Sequence, residues 1–427
     1  MNSLIIFSLL VTLMLTGMPI SISLGLTVLT FLFFMTQVPI EAVAMKLFTG
    51  IEKFEIMAIP FFILAGNFLT HGGVARRMIK FATSMVGHWA GGLGLGGVLA
   101  CALFAAVSGS SPATVVAIGS ILMPAMVKAG FPKRFGAGVI TTSGALGILI
   151  PPSIVMVMYS VSTNTSVGAL FMAGVLPGIV LASMLGFTTW YRAWKYKYPR
   201  QPKATWKERW GSFRKAVWGL ILIVIVMGGI YSGMFTPTEA AAVSAVYAFI
   251  VAVFIYKDMG LKDVPKVLLS SANMSAMLLY IITNAVLFSF LMTHENIPQE
   301  MASWMIGTGV GVIGFLLISN VLMLLAGNFM EPSSIVLILA PILFPIAMQL
   351  GLDPVHFGII MVVNMEVGMC HPPVGLNLYV SSGITKMGIT ELTIAVWPWL
   401  LTMLIFLVLV TYWPPLSTWL PKTIGMM

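Results

Sequence analysis

The chain has 427 residues, of which 59% are hydrophobic and 8% are charged, and its mean hydropathy is +1.02. A soluble globular protein carries about a quarter of its residues as charged side chains. The composition therefore excludes a soluble enzyme or binding domain and predicts an all-α polytopic membrane protein. A net charge of +9 could suggest a nucleic-acid partner, but the charges are concentrated in one place, as described below.

The N-terminal region, 1–55, predicts scaffold helices and an interfacial segment. Residues 4–35 are apolar and are interrupted at Gly17-Met18-Pro19, which indicates two short spans or one broken span. No basic n-region precedes the apolar run, so we expect a retained span rather than a cleaved signal peptide. Mixed charges then mark the interfacial segment.

The region 56–190 predicts a first structural repeat. Two apolar segments flank the polar turn Ser108-Gly109-Ser110-Ser111-Pro112, and an apolar helix of about 15 residues rises about 22 Å against a hydrocarbon core of about 30 Å. The pair therefore predicts a re-entrant hairpin at 92–128. A broken helix at 135–165 follows, because Pro151-Pro152 interrupts helical hydrogen bonding. Irregular backbone at membrane depth is tolerated where it lines a cavity, which predicts a binding site at the turn.

The segment 191–215 is strongly basic. Nine Lys and Arg residues and a single acid, Glu208, fall between Arg192 and Lys215. The positive-inside rule predicts that this central loop is cytoplasmic. The surplus of positive charge therefore reflects the orientation of the chain in the membrane and predicts no nucleic-acid partner. The alternative is that the loop also binds anionic lipid or a partner protein.

The second half predicts scaffold helices and a connector at 216–270 and a second repeat at 271–427. This repeat has a hairpin at 310–350 and a broken helix at 355–385. Prolines recur after about 220 residues, as internal repeats do; the pairs are Pro112 with Pro332, Pro151 with Pro372, and Pro177 with Pro398. Flanking charges place the ends of the two hairpins on opposite faces. Inverted structural repeats of this kind are typical of ion-coupled secondary transporters.

Polar groups at the two turns could bind ions. Hydroxyls of the first turn and backbone carbonyls freed at the first break predict a sodium site, since hard cations prefer oxygen ligands. The second half offers Gly327 and Asn328 at its turn and Gly368 to Pro373 at its break. The alternative is that the small residues serve close helix packing.

Three acids lie in apolar sequence, at Glu239, Glu331 and Glu366. Intramembrane acids are functional candidates by default. Glu331 precedes Pro332 at a helix start, where a carboxylate could instead cap free N–H groups. Glu239 and Glu366 could instead pair with a neighbour or face an interface.

Neither of the two turns and neither of the two breaks contains Lys or Arg. An anionic substrate would then be bound by helix N-termini, hydroxyls, amides and co-bound cations. Five polar residues are the substrate-binding candidates, with packing as the alternative role: Ser110, Thr142, Ser143, Asn328 and Asn364.

Five motifs, in order, resemble the DctM-type large membrane subunit of tripartite ATP-independent periplasmic (TRAP) transporters. They are Val107 to Thr114, Gly147 to Ser153, Pro237 to Ala240, Gly327 to Pro332, and Pro372 to Asn377. The resemblance implies sodium-coupled import of an organic anion by an elevator-type movement in the bacterial inner membrane. It also implies two partners, a small four-helix DctQ-type membrane subunit and a periplasmic substrate-binding protein. Implied cargoes are C4-dicarboxylates, sialic acid, keto acids and sulfonates.

The resemblance also implies two sodium sites. The first comprises Ser108, Ser111, Gly147, Ile150 and Pro151, and the second comprises Gly327, Gly368, His371 and Val374. His371 departs from the family pattern, in which Thr usually precedes this Pro-Pro pair. The departure predicts that the second site either uses the backbone carbonyl of this residue alone or is altered towards proton linkage. The histidine could also be purely structural.

Other functions remain as alternatives to the transport subunit. A stand-alone ion-coupled transporter of the same architecture would need neither partner. A passive channel is disfavoured by two hairpins that suggest an occluded site. The chain has no P-loop pattern, nucleophile elbow or HExxH helix, so we expect no enzymatic activity.

Overall fold

A computed structural model of the chain describes residues 2–307 and 309–427, and the described part is all-helical. It contains twenty α-helices, and eight helical segments are long and apolar enough to cross a bilayer. This agrees with the multi-pass membrane protein predicted from composition. The first ten helices are α1 Asn2–Leu15, α2 Ile20–Met35, α3 Ile40–Thr49, α4 Ala58–His71, α5 Val74–Val86, α6 Gly92–Ser108, α7 Ser111–Lys128, α8 Lys133–Gly144, α9 Ile154–Thr163 and α10 Val167–Lys195. The others are α11 Trp206–Tyr231, α12 Pro237–Ile250, α13 Val264–His294, α14 Ile297–Gly307, α15 Val312–Gly327, α16 Pro332–Gln349, α17 Pro354–Gly368, α18 Leu376–Thr385, α19 Ile389–Tyr412 and α20 Pro415–Thr423.

Helices α8 and α17 form the centre of the molecule. Every residue from Phe135 to Gly144 and from Val355 to Gly368 is buried. Most of these buried residues are apolar or small, which is the pattern of a helix enclosed on every side; the larger polar exceptions are His356, Asn364 and Glu366 on α17. A proline pair follows each helix; Pro151 and Pro152 of the first break are buried, whereas at the second break Pro372 is half-buried and Pro373 is exposed.

The breaks follow from local sequence. At the first, a 3₁₀ turn over Ala145–Ile148 continues α8, and Ser153 caps α9 by accepting from Met156 N and donating to Ile148 O at 2.6 Å. At the second, Gly375 has φ +50°, a conformation that favours glycine. Proline cannot donate a backbone hydrogen bond, so the helical ladder lapses at both places.

Each hairpin consists of two helices joined by a short turn, α6 to α7 and α15 to α16. Gly109, with φ +60°, ends α6 as left-handed glycines commonly do. Helices α7 and α16 have 18 residues each and rise about 27 Å, further than the arms predicted from sequence. The second arm of each hairpin therefore nearly matches the thickness of the hydrocarbon core, about 30 Å.

The packing of the hairpins follows one scheme in both halves. Helix α6 packs on α8 as α15 packs on α17, and α8 packs on α19 as α17 packs on α10. Helix α7 packs on α18, from the other half, and α16 correspondingly packs on α9. Each hairpin therefore contacts the broken helix of the other half.

The basic segment contains less irregular backbone than the predicted loop 191–215. Helix α10 runs to Lys195, and α11 begins at Trp206, so the non-helical connection is 196–205. Thr205 and Glu208 form a capping box at the start of α11, which is a recognised helix-start signal. Elsewhere in the chain, two helices, α14 and α20, were not predicted from the sequence.

Candidate functional site

The first turn lies directly against the first break. A Cβ atom built on Gly147 would lie 2.6 Å from Ser110 O and 2.8 Å from Ser111 N. Likewise, a Cβ on Gly109 would lie 2.9 Å from Pro152 O. These contacts involve backbone atoms, which cannot swing away as a flexible side chain could. Both glycines are therefore needed for the turn and the break to meet.

The oxygens gathered at the first turn are neutral. Ser108 is 3% exposed, and its Oγ lies 2.9 Å from Thr114 Oγ1 and 3.3 Å from Ser110 O. Ser143, one turn before Gly147, has a buried hydroxyl without a hydrogen-bond partner among the described residues. Carbonyl and hydroxyl oxygens suit a hard cation such as Na⁺. No group of three His, Cys, Asp or Glu residues suited to a transition metal occurs in the described chain.

Asn377, just after the second break, binds the first turn. Its Nδ2 donates to Ser111 Oγ at 2.8 Å and to Thr141 O at 3.3 Å, and Ser111 Oγ lies 3.1 Å from Asn377 Oδ1. The Asn377 side chain is fully buried. It therefore joins the second half of the chain to the predicted sodium residue Ser111.

We expect Asn377→Leu to destabilise the protein by about 1–3 kcal/mol, because the buried Ser111 hydroxyl and Thr141 carbonyl lose a partner. The measurement is the midpoint temperature of unfolding of the purified chain in detergent. Tyr379→Leu is the matched control, since Tyr379 lies on the same helix and is 54% exposed. Equal midpoints for the two variants would contradict the role given to Asn377.

The second turn meets the second break at two glycines. A Cβ on Gly327 would lie 2.9 Å from Gly368 Cα, and a Cβ on Gly368 would lie 2.9 Å from Gly327 Cα. The Asn328 amide lies 2.8 Å from His371 Nδ1. With its nitrogen facing the break, it also donates to the carbonyls of His371 and Pro372, both at 3.2 Å. An amide therefore satisfies a carbonyl that the second sodium site would use, and the residues here fit a cation less well than those of the first site.

A cavity of about 350 Å³ lies between the two turns. It is bounded by the N-terminus of α7, at Ser110 to Ala113, and the N-terminus of α16, at Glu331 to Ser333. Helix N-termini carry partial positive charge and free N–H groups, so both favour an anion. No Lys, Arg or His is among the residues that line it. The half-buried carboxylate of Glu331 is its one acidic side chain.

The predicted substrate residues do not all reach this cavity. Ser110 lines it, whereas Thr142 bonds back to Gly138 O at 2.9 Å, and Ser143 is buried and is not among the lining residues. Asn328 pairs with His371, and Asn364 donates to Asn320 Oδ1 at 2.5 Å. Three polar lining residues were not predicted from the sequence: Asn67 and Thr70 on α4, and Ser333 on α16. An Asn and a Thr within one ordinary apolar span gave no signal of a site.

The three acids have different environments. Glu239 is exposed and forms a capping box with Thr236 at the start of α12, which explains its presence. Glu331 accepts from Ser334 Oγ at 3.3 Å and lines the cavity. Glu366 is fully buried, and neither carboxylate oxygen has a hydrogen-bond partner among the described residues; it does not line the cavity.

Comparisons with known proteins agree with one another. The family model described as the tripartite ATP-independent periplasmic transporter, DctM component, matches residues 7–416. A C4-dicarboxylate TRAP transporter large permease protein DctM of Rhodobacter capsulatus is 75% identical, with 100% of both chains covered. An isethionate TRAP transporter permease protein DctMQ of Oleidesulfovibrio alaskensis is 43% identical over 93% of this chain and 63% of its own length. The solved YdaH transporter of Alcanivorax borkumensis has a TM-score of 0.62 at 16% identity, covering 88% of this chain and 90% of its own, which is a likeness of fold.

Proposed function

The chain belongs to the DctM component family of tripartite ATP-independent periplasmic transporters, and from that membership we propose that it is the large membrane subunit of a sodium-coupled importer of C4-dicarboxylates. The observation that carries the proposal is the cavity between the two turns, where two helix N-termini meet. The near-identical length and 75% identity of a relative named for C4-dicarboxylates support this cargo over the other organic anions.

The substrate binds in this cavity through dipoles and hydroxyls rather than through cationic side chains. Ser110 and Ser333 offer hydroxyls at the two helix starts, and Asn67 offers an amide from α4. These groups are neutral, and the one charged side chain that lines the cavity, Glu331, is acidic, so the protein only partly balances the charge of a dicarboxylate. A co-bound cation supplies the remaining positive charge, which couples substrate binding to cation binding.

The first turn and first break hold that cation. Ser108 and Ser111 provide hydroxyls, while Gly147, Ile150 and Pro151 lie at the break where carbonyls are freed. The close approach of Gly147 to Ser110 O supports this assignment, because it brings the two sets of oxygens together. The second turn is a weaker site, since the Asn328 amide satisfies the His371 carbonyl.

Inverted repeats and an elevator-type movement complete the proposal. The matching contacts of the two halves support a twofold relation between the hairpins. In the movement, the hairpins and broken helices shift together against α4, α11 and α13, carrying the substrate between the two faces. The partners are a periplasmic substrate-binding protein and a small membrane subunit. The DctMQ name of the longer relative supports the latter.

The test is uptake into proteoliposomes that contain this chain with the small subunit. We expect accumulation of radiolabelled succinate only when a substrate-binding protein is outside and an inward sodium gradient is present. Potassium in place of sodium is the control. Uptake without the binding protein would instead support a stand-alone transporter, and uptake that a sodium gradient does not accelerate would refute sodium coupling.

We expect Ser108→Ala to raise the sodium concentration for half-maximal uptake about tenfold, which corresponds to about 1.4 kcal/mol of lost cation binding. The reason is the loss of one hydroxyl from the first site. Ser162→Ala is the matched control, because among the described residues the Ser162 hydroxyl bonds back to Met158 O on α9 and to no other group. A sodium dependence equal to that of the control would assign Ser108 to packing.

A further inference from the structure

A second, larger cavity lies away from the substrate site. It has a volume of about 670 Å³ and runs between α6, α10 and α11. None of its lining side chains is charged, and only Ser183 and Tyr231 carry a hydroxyl. Ile179 and Trp89, on its wall, are 58% and 53% exposed. A groove of this composition does not hold water well, and at membrane depth it is open to lipid.

The groove follows one face of α10. Its lining includes Met172, Ile179 and Gly186, and a helix rises about 21 Å over the 14 residues from the first to the last. This exceeds the half-thickness of the hydrocarbon core, about 15 Å. The groove is therefore long enough for an acyl chain that enters from one leaflet.

The same face of α10 leads to a basic pocket. Ala193 lies seven residues beyond Gly186, two helical turns and about 10 Å further along, and lines a pocket of about 480 Å³ with Lys195, Lys197 and Arg200. Ala90 lines this pocket while its neighbour Trp89 lines the groove. The two cavities therefore adjoin at the segment around residue 90.

The basic pocket lies where a lipid headgroup would be. Helix α10 has 29 residues and is about 43 Å long, close to the full thickness of a bilayer with its headgroups. Trp190 and Trp194 are exposed near its end, as is typical of a membrane interface. Among the described residues, no carboxylate forms an ion pair with Lys195, Lys197 or Arg200.

We propose that this groove and basic pocket form a single site for one anionic phospholipid, with an acyl chain between α6, α10 and α11 and the phosphate at Lys195, Lys197 and Arg200. The charge of the pocket selects an anionic headgroup over a zwitterionic one. The positive-inside rule places this lipid in the cytoplasmic leaflet. The groove also contacts Ile150 and Pro151, so the lipid packs behind the first break.

Native mass spectrometry of the full-length chain in detergent tests the proposal. We expect one molecule of dioleoyl phosphatidylglycerol to bind at least about tenfold more tightly than dioleoyl phosphatidylcholine. The triple variant Lys195→Gln, Lys197→Gln, Arg200→Gln should lose this preference. Its matched control is Lys203→Gln, Lys207→Gln, Arg214→Gln, which removes the same charge outside the pocket and should keep the preference.

A second variant tests the apolar part separately. Ala102→Phe fills the groove and should weaken the binding of both lipids, whereas Val224→Phe, at a 68% exposed position on α11, should not. Equal affinity for the two lipids, or unchanged binding in the first triple variant, would overturn the proposal. Loss of the bound lipid on co-expression of a small membrane subunit would also overturn it and make the groove a protein interface.

Discussion

Replacing Gly147 by alanine is expected to lower sodium-driven uptake at least about a hundredfold while leaving the protein folded. The new Cβ would lie 2.6 Å from Ser110 O and 2.8 Å from Ser111 N, so the first turn must move off the break. A misplacement of about 1 Å of groups that must be held in a set geometry can cost about a hundredfold in rate. The measurement is the initial rate of succinate uptake at saturating sodium in the reconstituted system.

Two further glycines make this experiment specific. Gly368→Ala should have a comparable effect, because its Cβ would lie 2.9 Å from Gly327 Cα at the second turn. Gly383→Ala is the matched control on α18, where no atom of the described residues outside the local helix backbone lies within 4 Å of the added Cβ. Wild-type uptake in Gly147→Ala, at equal amounts of reconstituted protein, would show that close contact of turn and break is not needed for transport.

The turns and breaks could be predicted from the sequence because their causes are local. Proline removes a backbone donor wherever it stands, and glycine permits the left-handed conformation found at Gly109. Both effects act within a few residues. The positions of Pro151-Pro152 and Pro372-Pro373 therefore fixed where the helices lapse, and the polar residues between the apolar helices marked both turns.

The partners of the polar side chains could not be predicted in the same way. Asn377 and Ser111 are 266 residues apart in the chain, and nothing in either local sequence shows that α18 packs on α7. Asn364 lies one turn before the second break, yet its side chain points to Asn320 on α15. The face that a residue takes within a wholly buried helix depends on tertiary packing, because such a helix has no apolar stripe to orient it.

The cavity has some walls that local sequence predicts and others that only tertiary packing brings there. Its walls are the turns and breaks that local sequence predicts, together with α4 and α13, which reach it only through the overall fold. The sequence therefore predicted the kind of site, with hydroxyls and helix starts in place of cationic side chains. It predicted fewer of the residues, and Asn67 and Thr70 were missed because a single polar residue in a span is common in packed membrane helices.

Ser110→Asp is expected to reduce succinate uptake at least about a hundredfold, through charge rather than through misfolding. Ser110 lines the cavity and is the N-cap residue of α7, where aspartate is as well tolerated as serine. Two unit charges 4 Å apart repel by about 4 kcal/mol at an effective dielectric constant of about 20. A carboxylate at this position would therefore oppose a dicarboxylate bound between the helix starts.

Two controls separate the charge from the substitution. In Ser110→Asn the new side chain has nearly the same shape as aspartate but no charge. We expect this variant to retain at least about a third of the wild-type uptake, because a neutral side chain adds no Coulomb repulsion. Ser166→Asp places the same carboxylate at the exposed N-cap of α10, whose serine accepts from Ala169 N at 3.3 Å, and should transport normally. If Ser110→Asp transported as well as Ser166→Asp, the anion would have to bind elsewhere. If the aspartate and asparagine variants failed equally, side-chain volume rather than charge would govern the site, and the case for anion binding at these helix N-termini would fail.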